Sequence, residues 1–120
     1  MVGWKFWKKR TAEDIQKAEL LESANHALFS AKESVKEGRR LSAEDLLNKM
    51  LGHLLEAKFH IDKTKDDNFI AKIDEIIEAL KSAKKHAKTN RPEQNLEEAR
   101  AIITKLVDLE EFIEKEIKRL

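Results

Sequence analysis

The chain of 120 residues contains no cysteine, no tyrosine, one proline and three glycines. The missing cysteine excludes disulfides, thiolate zinc sites and cysteine nucleophiles together, and it fits a reducing compartment. So little glycine and proline excludes low-complexity linkers and long irregular loops, leaving three short breaks near Gly38, Asp62 to Asp67 and Asn90 to Pro92. No apolar run reaches the eighteen or so residues of a membrane span, and MVGWKFWKKR at the N-terminus lacks the apolar centre of a signal peptide. A cytoplasmic location is the expectation.

Charge is plentiful but of neither sign: 39% of residues are charged and the formal net charge is +1. That balance argues against a polycation built for nucleic acid and against an acidic tail, and reads as solvated helix faces. Lys and Glu dominate, a composition associated with heat-adapted proteins. With 41% hydrophobic residues in periodic spacing, the chain has enough apolar material for one core and one domain.

The longest strongly apolar stretch, Leu41 to Asp62, organises the rest. At about 100° per residue, Leu46, Leu47, Met50, Leu51, Leu54, Leu55, Ala57 and Ile61 cover an arc of roughly half a turn, wider than the stripe of a surface helix. Such a helix requires neighbours on more than one side. Leu21, Ala24, Leu28, Ala31 and Val35, widened by Leu20 and Ala27, predict a first helix that starts at a Thr11/Asp14 capping box and runs to about Glu37, with Gly38 as its C′ residue. Ser42 suits the N-cap of the second helix, ahead of Glu44 and Asp45.

A third helix follows from Phe69, Ile73, Ile76, Leu80, Ala83 and Ala87, spaced 4-3-4-3-4, with Ile70 and Ile77 alongside. A fourth starts at Pro92, or at an Asn95/Glu98 box, and carries Ala99, Ile102, Ile103, Leu106, Leu109, Ile113 and Ile117 to Leu120. The expected fold is all-α, an antiparallel up-down four-helix bundle over residues 11–120, preceded by a basic, aromatic leader over residues 1–10. The small side chains of Ala24, Ala27 and Ala31 should let the first helix approach a neighbour closely. No internal repeat is evident.

Chemistry-bearing residues are few. His53, Glu56 and His60 lie along one side of the second helix and are weak candidates for a metal, with His26 and Glu78 expected at about their height. Their position flanking the apolar arc favours solvated histidines. His26 also sits on an exposed helix face where phosphotransfer would need a nearby cation, but Phe29 and Ser30 stand in the positions that follow. No phosphate loop, nucleophile elbow or Ser, His, Asp set is present. An enzyme is not expected, nor are a cofactor or a small-molecule substrate.

Three surfaces remain. Lys81, Lys84, Lys85, His86, Lys88 and Arg91, with Arg39 and Arg40, form a basic cluster that helix-dipole complementation also explains. The leader alternates Trp4, Phe6 and Trp7 with Lys5, Lys8, Lys9 and Arg10, a pattern suited to an anionic membrane or nucleic acid. Acids of the fourth helix, Glu110, Glu111, Glu114 and Glu116, should share its end of the bundle and compete for it. Finally, Leu51, Leu55 and Phe59 exceed what three neighbours can cover and, joined by Phe29 and Phe112, form the expected contact of a homodimer. A non-enzymatic interaction or structural protein that self-associates is therefore the first expectation, and an anionic-surface binder acting through the leader the second.

Overall fold

The computed structural model describes residues 11–37, 43–89 and 91–120. Helix α1 is Ala12–Glu33, α2 Ala43–Thr64, α3 Asp67–His86 and α4 Pro92–Arg119, and no strand occurs among the described residues. Packing joins α1 to α2 and α4, and α3 to the same two helices, so sequence neighbours are spatial neighbours round a four-sided bundle. Cross-helix contacts fix the antiparallel sense. Near the start of α1, Lys17 lies 2.9 Å from Asp66 ahead of α3 and 3.8 Å from Glu116 late in α4.

The core is the set that helical periodicity selects. Leu21, Leu28, Met50, Leu54, Ile61, Phe69, Ile73, Leu80, Leu106 and Ile113 are its largest buried side chains. Ala24, Ala27 and Ala31 are all buried, and α1 packs most extensively against α2, where their small volume brings the axes together. The wide arc of α2 is divided as its width requires: Leu47, Met50, Leu54, Ala57 and Ile61 are buried, Leu46 and Leu51 pack against the core partly exposed, and Leu55 is left facing out.

Helix ends follow their caps. The Thr11 hydroxyl accepts from the Asp14 N–H at 3.1 Å, and the Asp14 carboxylate accepts from the Thr11 N–H at 3.4 Å. Pro92 takes the first position of α4, and Gln94 Oε1 accepts from the Arg91 N–H at 2.9 Å. Asn95 is not the cap. Its amide donates instead to the Ala87 carbonyl at 3.3 Å, closing the end of α3 onto α4.

Two boundaries differ from the sequence expectation. The α-helical part of α1 stops at Glu33 and tightens into a 3₁₀ turn, Ser34–Glu37. The hydroxyls of Ser30 and Ser34 donate back to the carbonyls of His26 and Ser30, at 3.1 and 3.0 Å, and such back-bonding bends a helix. The break expected over Asp62 to Asp67 shrinks to two residues, Lys65 and Asp66. Asp62 and Lys63 are exposed, so loss of apolar period there marks a solvated last turn of helix and not a loop. Gly38, Arg39, Arg40, Leu41, Ser42, Asn90 and the whole leader lie outside the described residues.

The α2/α3 link is a compact polar device. Lys65 turns the chain at φ 58°. The Thr64 hydroxyl donates to the Ile61 carbonyl at 2.6 Å and accepts from the Asp66 N–H at 3.2 Å. Asp66 caps α3 by accepting from the Asn68 N–H at 3.0 Å while it holds Lys17 of α1. Partial burial raises its pKa, but Lys17 and the backbone N–H groups of Asn68 and Phe69 prevail, leaving it below the ordinary aspartate value. A carboxyl whose folded pKa is depressed stabilises the fold above its unfolded pKa and loses that contribution as pH falls through the folded one. Asp66→Ala should therefore cost about 1–2 kcal/mol at neutral pH, most of it the lost cap. The deficit should close as the pH drops below about 4, the unfolded aspartate value. Urea titrations of both proteins across that range check the expectation.

Candidate functional site

Outside the core, the side chains of α2 carry a second periodic seam. Asn48, Gly52, Leu55, Phe59 and Asp62 follow one another at steps of four, three, four and three residues, the spacing that keeps residues on one face. All five are exposed. Leu55 is 48% exposed and Phe59 57%, the most of any large apolar side chain described. The Lys63 ammonium sits 4.0 Å above the Phe59 ring and His60 meets its edge at 5.6 Å, so the ring is propped on its own helix. Beside the seam, the Lys58 ammonium bridges Asp74 of α3 at 2.6 Å and Asp62 at 3.3 Å. Its hydrogen bond to Asp74 leads the causes that hold it protonated above the ordinary lysine value.

Gly52 sits in the middle of this seam. A Cβ built there would meet nothing within 4 Å, so no contact within the described chain requires a glycine. Glycine in an exposed helix interior is less favourable than alanine by about 1 kcal/mol. Gly52→Ala should raise stability by about that amount, read as a higher urea midpoint in dilute protein at an unchanged slope.

The other aromatic residues expected to join the contact do not. Phe29, 48% exposed, lines a groove of about 380 Å³ between α1 and α2, with His26, Ser30, Glu33, Lys49 and His53. Phe112 is 40% exposed on the α3/α4 side, its ring edge-on to Phe69 at 5.1 Å and covered by Lys72 at 4.8 Å. The apolar set is thus split over three sides of the bundle. Leu51, partly buried against the core, is more a core residue than a contact.

Three of the four histidines gather in the α1/α2 groove. Ser23, His26, Ala27 and Ser30 face His53, Glu56 and His60 across about 230 Å³. His26 comes to the group from the facing helix as expected, whereas Glu78 stays on α3 near Lys81 and does not line the groove. Among the described residues no three His, Asp or Glu side chains are disposed to hold a metal ion. The other three seams carry cross-helix ion pairs: Lys58 with Asp74, Lys105 with Glu75, and Lys32 with Glu110.

The basic cluster at the end of α3 is partly neutralised within the chain. Lys88 lies 3.6 Å from Glu44 of α2, Lys81 3.9 Å from Glu78, and the His86 ring 3.7 Å from Glu98 of α4. Arg39 and Arg40 fall outside the described residues. At the opposite end Glu116, late in α4, pairs with Lys17 near the start of α1 and with Arg119 of its own helix, while Glu110, further back along α4, pairs with Lys32 of α1. The leader set Trp4, Lys5, Phe6, Trp7, Lys8, Lys9 and Arg10 lies outside the described residues. No described helix is long and apolar enough to cross a membrane.

The sequence expectation includes Leu55 and Phe59 but not Gly52, which precedes them on the same face. The alternating four- and three-residue steps from Asn48 to Asp62 are readable in the sequence once the core rhythm of the same helix is set aside. Compared with known proteins, the chain matches no protein-family model, no curated protein and no solved structure.

Proposed function

We propose that this chain is a non-enzymatic interaction module, a rigid four-helix scaffold that self-associates through the outward face of α2. The observation that supports the reading is the Leu55 and Phe59 pair, two large apolar side chains one turn apart and about half exposed or more on a single face. Singly exposed apolar residues are ordinary on a folded surface, but a contiguous pair on one helix is what a docking surface requires. The described architecture fits this role. Its α2/α3 link is two residues long, which leaves little of the loop material that carries most catalytic groups. A second copy is the simplest occupant, because a two-fold axis hides the same stripe on both partners at once.

Sedimentation equilibrium tests it. The chain should show a concentration-dependent monomer-dimer equilibrium in the micromolar range, and Leu55→Glu should shift it to monomer by at least tenfold in dissociation constant while leaving the helical circular dichroism intact. A chain that stays monomeric throughout, or a dimer indifferent to Leu55→Glu, would overturn the reading.

A further inference from the structure

We infer that the two copies meet with their α2 helices antiparallel about an axis at Leu55, Phe59 of each copy seated over Gly52 of the other. The inference rests on the self-association proposed above and adds its register. In an antiparallel pair, facing positions have a constant sum. With Leu55 on the axis, Asp62 falls opposite Asn48 and Phe59 opposite Leu51, one residue along from Gly52, so the bulkiest exposed ring leans over the one position on the seam without a side chain.

Three observations agree with that register. Gly52 leaves open space where its Cβ would stand, although glycine weakens a helix interior and nothing among the described residues needs it there. Phe59, held upright by Lys63 and His60, presents the most exposed apolar surface described. Charge order along the face points the same way: the α2 N-terminal turns carry Asp45 and Asn48 and the C-terminal turns Asp62 and Lys63. Antiparallel pairing sets Lys63 near Asp45 of the other copy and the Asp62 carboxylate near the Asn48 amide. Parallel pairing would set Asp45 on Asp45, Lys63 on Lys63 and Phe59 on Phe59, with two glycines facing across a void. Glu56 meets its own copy beside the axis in either sense, which keeps the association modest.

The absence of native cysteine makes the test clean. Asn48→Cys and Asp62→Cys chains, both at exposed positions, are mixed and oxidised at a concentration where the native chain dimerises. The antiparallel register predicts that disulfides form chiefly between the two variants and that neither links efficiently to itself. In parallel, Gly52→Leu, which fills the notch, should raise the dissociation constant by tenfold or more with unchanged circular dichroism, and Gly52→Ala by less. Self-linking of each variant, or a dimer unaffected by Gly52→Leu but broken by Leu55→Glu, overturns the register while self-association stands. A native chain that never dimerises overturns both.

Discussion

Leu54→Ala should lower the melting temperature by roughly 10 °C or more, the shift expected of a loss of about 2–5 kcal/mol in a domain of this size. Leu54 is fully buried, midway along the helix whose apolar arc is shared between α1 and α3. Its neighbours are held in place from both directions, so the space left by the deleted atoms cannot collapse from either side, and the cost should fall in the upper half of that range. Against the total of about 5–15 kcal/mol typical of a domain, one such change removes a large fraction of the stability. Chemical denaturation monitored by circular dichroism measures it, and a loss below about 0.5 kcal/mol, a surface value, would mean that Leu54 does not face the core.

A comparable effect is expected for Phe69→Ala, about 3–5 kcal/mol, for reasons that differ in kind. Phe69 is 1% exposed in the first turn of α3, where the chain has just emerged from the two-residue link. Its ring plugs one end of the core. It also contacts Phe112 edge-on and lies 5.9 Å below the Lys17 ammonium, the group that holds Asp66. Removing the ring thus empties the end of the core and withdraws the surface on which the Lys17 stem and Phe112 rest. A double-mutant cycle with Phe112→Ala should return a coupling of about 0.5–1.5 kcal/mol, the range for an aromatic pair. Additive losses would show that the two rings touch without cooperating.

How much of this was legible in the sequence depends on whether a feature lives within one helix. The 4-3-4-3-4 rhythm from Phe69 to Ala87 marks buried positions throughout, because periodicity records which side of a helix faces inward. The Thr11 start is equally readable, since a cap is local chemistry, and of the two starts the sequence offers for the fourth helix the one at Pro92 is taken. What escaped depended on relations between helices. Nothing in the spacing of Phe29 or Phe112 tells which side of the bundle its helix will offer, so the sequence alone groups both with Leu55 although each faces its own groove. The α2/α3 link misled for another reason: Asp62 to Asp67 is polar throughout, and composition alone does not separate an exposed last turn from a loop. Asp66 followed by Asn68 was the usable signal, a side-chain cap placed late.

The order of helices round the bundle also bears on how the chain reaches this state. The α2/α3 seam is closed by a contact spanning 16 residues, Lys58 to Asp74, and the α3/α4 seam by one spanning 30, Lys105 to Glu75. The α1/α4 seam joins Asn25 to Glu110 across 85. Loop closure costs more entropy as the separation grows, and formation rates fall with the mean separation of contacting residues. Hairpins of adjacent helices can therefore assemble early from short-range contacts, while the meeting of α1 with α4 waits until the helices between them are in place. In kinetic terms this ring has a natural last step. The lysines of α1 that reach Glu110 and Glu116 sit on that closing seam, where they bias the final docking of two helices that the chain itself keeps far apart.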